Sequence, residues 1–120
     1  MYRSATTSQD DDYFYGVDLF NAGYWWEAHV YWERLWSESP APHAMEFLQG
    51  LIQLSAALVK RREGSEKGEA KLINQALEKL RRASTRAGSA KVFMGVRLEP
   101  LIDQVEQVEQ GVTPTIELQV

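Results

Sequence analysis

The chain has 120 residues, 44% of them hydrophobic, no cysteine, and a formal net charge of −4. That length suits one domain with a single core. The lack of cysteine excludes disulfides, thiolate metal sites and cysteine nucleophiles, and points to a cytoplasmic location.

Residues 1–12 read as a mobile polar lead-in, and Asp10-Asp11-Asp12 at its end supplies carboxylates suited to a helix amino terminus. Arg3 is followed by no apolar signal core. Tyr13, Phe14, Val17, Leu19 and Phe20 then give a short first helix an apolar face, with Gly23 as its stop. A second helix is predicted from about Tyr24 to Glu38, ended by the Ser39-Pro40-Ala41-Pro42 loop. The third should span about His43 to Arg62 and stop at Gly64. Its apolar positions, Phe47, Leu48, Leu51, Ile52, Leu54, Leu58 and Val59, extend around most of the cylinder, as in a helix packed on several sides. Gly50, Ala56 and Ala57 leave one side small, and Gln49 and Gln53 share that side. The run from Leu51 to Val59 is far shorter than the ~20 residues of a membrane helix.

A fourth helix, about Lys67 to Ala87, carries the stripe Leu72, Ile73, Ala76, Leu77, Leu80 and Ala83 and ends at Gly88. Residues 98–110 form the fifth predicted helix, with Pro100 in its first turn and Gly111 beyond it. The tail, residues 111–120, alternates apolar and polar positions and should lie extended across the bundle, without a sheet partner. The expected architecture is therefore all-α: a compact bundle of about five helices over residues 13–110, with the third central.

Charge is unevenly placed. Residues 1–59 hold two basic against eight acidic residues, residues 60–97 eleven against four, and residues 98–120 none against five. The basic segment 60–97, with Lys60, Arg61 and Arg62 at its start, could thus form a docking surface for a polyanion. The simpler reading sets these cations at helix ends, with the acidic segments folded against them. Nucleic acid is disfavoured, because no aromatic residue interleaves with the basic positions before Phe93.

Residues 25–36 hold all four tryptophans. On a helical wheel Trp25, Ala28, Trp32, Leu35 and Trp36 define a buried face, with Trp26 on the flank as a candidate interaction or homo-oligomer surface. His29 falls inside the apolar arc, and Glu33 lies about 40° further round. A polar pocket between helices two and three, built from His29, Glu33, Gln49, Gln53 and Trp36, is one reading. A satisfied structural pair is the other. His29 and Glu33 are the only metal candidates in that cluster, with His43-x-x-Glu46 as a further pair. The His-Glu-x-x-His helix, paired Glu-x-x-His motifs and a Gly-x-Ser-x-Gly elbow are all missing, so the sequence names no cofactor and no reaction.

Phe20-Asn21-Ala22-Gly23-Tyr24, then Glu27-Ala28-His29-x-x-Trp32-Glu33-x-Leu35-Trp36, then Phe47-Leu48-Gln49-Gly50-Leu51-Ile52-Gln53-Leu54, and a later helix from Ala70 to Leu80, resemble the domain-of-unknown-function 309 family over about residues 13–110. The resemblance implies a small all-helical protein and supplies no activity, cofactor or partner. The family's usual Ala-His-Glu reads Ala28-His29-Val30 here. Position 30 lies off the His29 face, so the missing carboxylate is most simply a surface group.

Overall fold

A computed structural model describes residues 8–39 and 41–119, so residues 1–7 of the expected lead-in and Pro40 of the loop lie outside the described residues. Five helices follow in order: α1 (Ser8–Asn21), α2 (Trp25–Glu38), α3 (Pro42–Arg62), α4 (Glu66–Ala87) and α5 (Leu98–Val105). The first begins four residues before Asp12, so positions 10–12 fall within its early turns, and Asp12 Oδ2 lies 3.5 Å from Arg34 Nη1 of α2. Pro42 is the first residue of α3, where its missing N–H has no helical partner to lose.

The turns after α1 and α3 share one design. Gly23 (φ 89°) and Gly64 (φ 81°) sit in the left-handed region. This lets Tyr24 N–H reach Leu19 O at 2.9 Å and Ser65 N–H reach Lys60 O at 2.9 Å, closing both helix ends.

Helix α3 is central, as its apolar circumference predicts. One side carries α2 and another α4, and Phe47, Leu51, Leu54 and Leu58 are buried between them. At Gly50 a Cβ would lie 3.0 Å from Lys79 Cβ, so α3 seats α4 at Gly50, whereas Ala56, expected on the same small side, lies toward Trp26 and His29 of α2. Helix α4 presents Ile73, Ala76, Leu77, Leu80 and Ala83 inward, the stripe read from the sequence.

Three features depart from the sequence reading. The fifth helix stops at Val105, and a 3-10 turn (Val108–Gln110) replaces its last part. Nothing in the local sequence marks that break. Before it, Val92–Phe93 (β1) and Val96–Arg97 (β2) form an antiparallel hairpin around a Met94-Gly95 turn. Both turn residues have positive φ, 49° and 79°, the twist that two-residue hairpin loops require. The tail does find a sheet partner: Leu118 bridges Val96, Arg97 N–H donates to Glu117 O (2.9 Å), and Gln119 N–H donates to Gly95 O (2.8 Å).

Candidate functional site

The rotation of α2 is set by its buried tryptophans. Trp32 is fully buried, and its Nε1 donates to Tyr13 O of α1 at 3.1 Å. This contact needs Gly16, since a Cβ there would sit 2.8 Å from the indole Cδ1. Tyr13 is fixed in turn by donating its hydroxyl to Met94 O at 2.9 Å, and burial pushes the phenol well above its ordinary pKa. Trp25 is capped by cations: the Arg62 guanidinium lies 4.4 Å from its ring centroid. With Trp25, Ala28, Trp32 and Leu35 inward, Trp26 and Val30 point outward and His29 lies on the flank of α2 facing α3.

His29 is held on two sides. Its Nε2 lies 3.4 Å from Glu33 Oε2, and its ring stacks on Trp26 at 5.3 Å with a 30° interplanar angle. The histidine side chain is 19% exposed and that of Glu33 60%. A pair so open on one side contributes about 0.5 kcal/mol or less. The other ring nitrogen, Nδ1, is enclosed and has no hydrogen-bond partner among the described residues. Leaving such a group unpaired costs about 1–3 kcal/mol.

A groove of about 110 Å³ opens beside the imidazole, lined by Trp26 and His29 of α2 and by Ala56, Val59 and Lys60 of α3, with Glu63 just beyond that helix. Ala56 and Val59 make its wall short and apolar. Lys60 Nζ and Glu63 Oε1, 3.5 Å apart, put both signs of charge on the rim. It can therefore hold a compact apolar group against the Trp26 ring and meet a polar end at the rim.

The other residues expected at a pocket lie elsewhere. Gln53 turns away from His29, and its Nε2 donates to Gln75 Oε1 of α4 at 3.4 Å. It follows the Gly50 end of the small side of α3, which α4 occupies rather than α2. Gln49, one turn earlier, is partly buried and does not line the groove. Glu33 and Trp36 do not line it either; Trp36 packs partly buried against the core. His43 is exposed, and Glu46 is engaged by Arg82 and Arg86, so these two form no metal pair. Among the described residues no group of three or more His, Asp or Glu side chains converges to hold a metal ion.

The groove residues that sequence reasoning missed are Ala56, Val59 and Glu63. Their signal was available as the row 56, 59, 60, 63 on one helical face, but only the packing of α3 shows which neighbour that face meets.

The basic segment is largely spent on internal pairing. Arg61 donates to Val112 O and Thr113 Oγ1, both at 2.8 Å, and Arg62 to Gly23 O at 2.8 Å. Arg81 meets Glu106 at 2.6 Å, Arg82 and Arg86 meet Glu46 at 2.9 and 2.6 Å, and Arg97 meets Glu117 at 3.3 Å. The acidic ends of the chain thus fold against its basic middle. No helix among the described residues is long and apolar enough to cross a membrane.

A family model described as Domain of unknown function (DUF309) matches residues 13–72, half of the chain. The matched segment ends within α4 rather than running on to residue 110, and it contains every residue of the groove. Among curated proteins none matches this chain.

Proposed function

This chain belongs to the domain of unknown function 309 family, and we propose that it is a binding domain whose ligand site is the α2–α3 groove at Trp26 and His29. The observation that carries the reading is the state of His29: stacked on one face, paired at Nε2, and left with an enclosed Nδ1 that no group among the described residues meets. A buried polar atom without a partner is uncommon in a folded domain. Here the histidine that carries it lines a groove walled by an exposed tryptophan. The ligand class is a small molecule with a compact aromatic or aliphatic body, stacked on Trp26, and a polar end that reaches Lys60 or Glu63. This reading takes the protein to act in the cytoplasm, in keeping with its cysteine-free sequence.

Neither a metal nor a reaction enters the proposal. Glu33 steers His29 from the solvent side, and Val30 is 43% exposed, so the carboxylate usual at that position in the family would stand in water beside the groove. The test is a fragment screen by amide and indole NMR shifts, using small carboxylates and amines with aromatic or branched bodies. Hits are expected to shift Trp26, His29, Ala56, Val59 and Glu63. Hits that shift other regions only, or none at all, would overturn the proposal.

A further inference from the structure

The carboxyl-terminal tail is held in an unusual way for a terminal segment. Most of its recognised backbone groups are met by side chains rather than by a neighbouring strand. Asn21, at the end of α1, donates Nδ2 to Ile116 O at 2.9 Å and accepts Ile116 N–H on Oδ1 at 2.7 Å. Gln104 of α5 repeats the arrangement on the preceding residue, with Nε2 to Thr115 O at 3.2 Å and Thr115 N–H to Oε1 at 3.0 Å. Each amide offers one residue both an acceptor and a donor, as an adjoining strand would. Arg61 fixes the start of the segment at Val112 O, and the edge of the β1–β2 hairpin pairs with its end at Glu117 and Gln119.

Side-chain demands are few. Pro114 and Ile116 are buried and Leu118 is half-buried, while Thr113, Thr115, Glu117 and Gln119 face solvent. Contacts of this kind read an extended backbone with apolar residues at alternate positions, the logic of strand addition to a sheet edge. None of these contacts depends on the segment being joined to α5; the join runs through the 3-10 turn Val108–Gln110 and a left-handed Gly111 (φ 98°), with Val112 N–H donating to Gln107 O at 3.3 Å.

We propose that the channel holding residues 112–119 is a recognition groove for an extended peptide, filled in cis by the chain's own tail and entered in trans by a segment of another protein carrying proline followed by apolar residues two and four positions on. The tail then acts as a built-in competitor. Its tether gives it an effective concentration in the millimolar range, so the intact protein binds such a segment weakly.

The probe is a fluorescein-labelled peptide of residues 112–119. Ile116→Asp sets a carboxylate in a buried apolar slot and releases the tail of the full chain. Peptide affinity is expected to rise by about tenfold or more over the unaltered protein, and adding Asn21→Ala to the released variant should lower it by about tenfold. A folded Ile116→Asp protein that binds the peptide no better than the unaltered one, or is indifferent to Asn21→Ala, overturns the proposal. Should Ile116→Asp fail to fold, native-state hydrogen exchange on the unaltered chain decides. Exchange of the Ile116 and Gln119 amides through an opening that leaves Leu51 and Leu80 protected supports a releasable tail, and exchange only with global unfolding refutes it.

Discussion

The α2–α3 flank and the α4–tail flank of the bundle solve the same problem in opposite ways. Along α4 and the tail, polar groups are largely matched: Arg81, Arg82, Arg86 and Arg97 meet carboxylates, Arg61 meets a carbonyl and a hydroxyl, and two side-chain amides complete the tail backbone, whereas Gln53 Oε1 at the α3–α4 seam is buried with no partner among the described residues. Along α2 and α3, Trp25 Nε1, His29 Nδ1 and Ser55 Oγ are buried without partners among the described residues, and Trp26 and Val30 stand exposed. Matched polar groups make a flank self-sufficient, whereas unmatched ones next to a groove leave room for something else to complete it. The arginines of the basic segment are answered from within, so its charge asymmetry is in large part internal pairing.

The comparison can be broken most severely at Gly16. Gly16→Ala drives a methyl group into the Trp32 indole, which positions all of α2, and should lower stability by about 3 kcal/mol in urea unfolding. On the matched flank, Glu46→Gln removes the carboxylate shared by Arg82 and Arg86. Because those side chains are half-open to solvent, a loss of about 1 kcal/mol is expected. The hydrogen bond from Arg86 above all holds the Glu46 carboxyl below its ordinary pKa; burial opposes it, and the Arg82 hydrogen bond and the positive charges of both arginines outweigh that opposition. A pKa depressed by folding contributes stability that is whole at neutral pH and is lost as pH falls through the carboxylate range. Melting curves of the Glu46→Gln variant and the unaltered protein should therefore converge near pH 3 and separate near pH 7.

Smaller effects sharpen the contrast. Ser55→Ala deletes a buried hydroxyl that has no partner and should raise stability by up to about 1 kcal/mol, whereas a clear loss would mean the hydroxyl is satisfied. Met94→Asn places a residue tolerant of positive φ in the hairpin turn and should add about 0.5 kcal/mol by the same assay. Val30→Glu restores the family's usual residue at an exposed position and should leave stability within about 0.5 kcal/mol.

Much of the bundle was legible because its punctuation is explicit. Gly23, Gly64 and Gly88 sit just beyond the helices they were expected to end, and the apolar rows of α3 and α4 gave their faces directly. The hairpin was hidden because its turn is Met94-Gly95 rather than Asn-Gly, and its strands are only two residues long. Without the hairpin the alternating tail had no visible edge to join. At the candidate site, periodicity sets His29 inside the apolar arc of α2 with Glu33 beside it; the structure keeps the two together but places His29 on the flank facing α3 rather than in the buried face. Periodicity could not tell which neighbour each side of α3 would meet, so Gln53 was matched to α2 when it belongs to α4. An angle on a wheel carries no information about the packing partner.

The groove reading stands or falls on Trp26, whose side chain is 59% exposed and carries little of the core. The decisive measurement is the affinity of a groove-binding fragment for Trp26→Ala set beside the variant's melting temperature. The expected result is an affinity loss of about tenfold or more with an essentially unchanged melting temperature. Unchanged affinity, or an affinity loss matched by a fall in melting temperature, would contradict the assignment of α2 and α3 as the walls of a binding site.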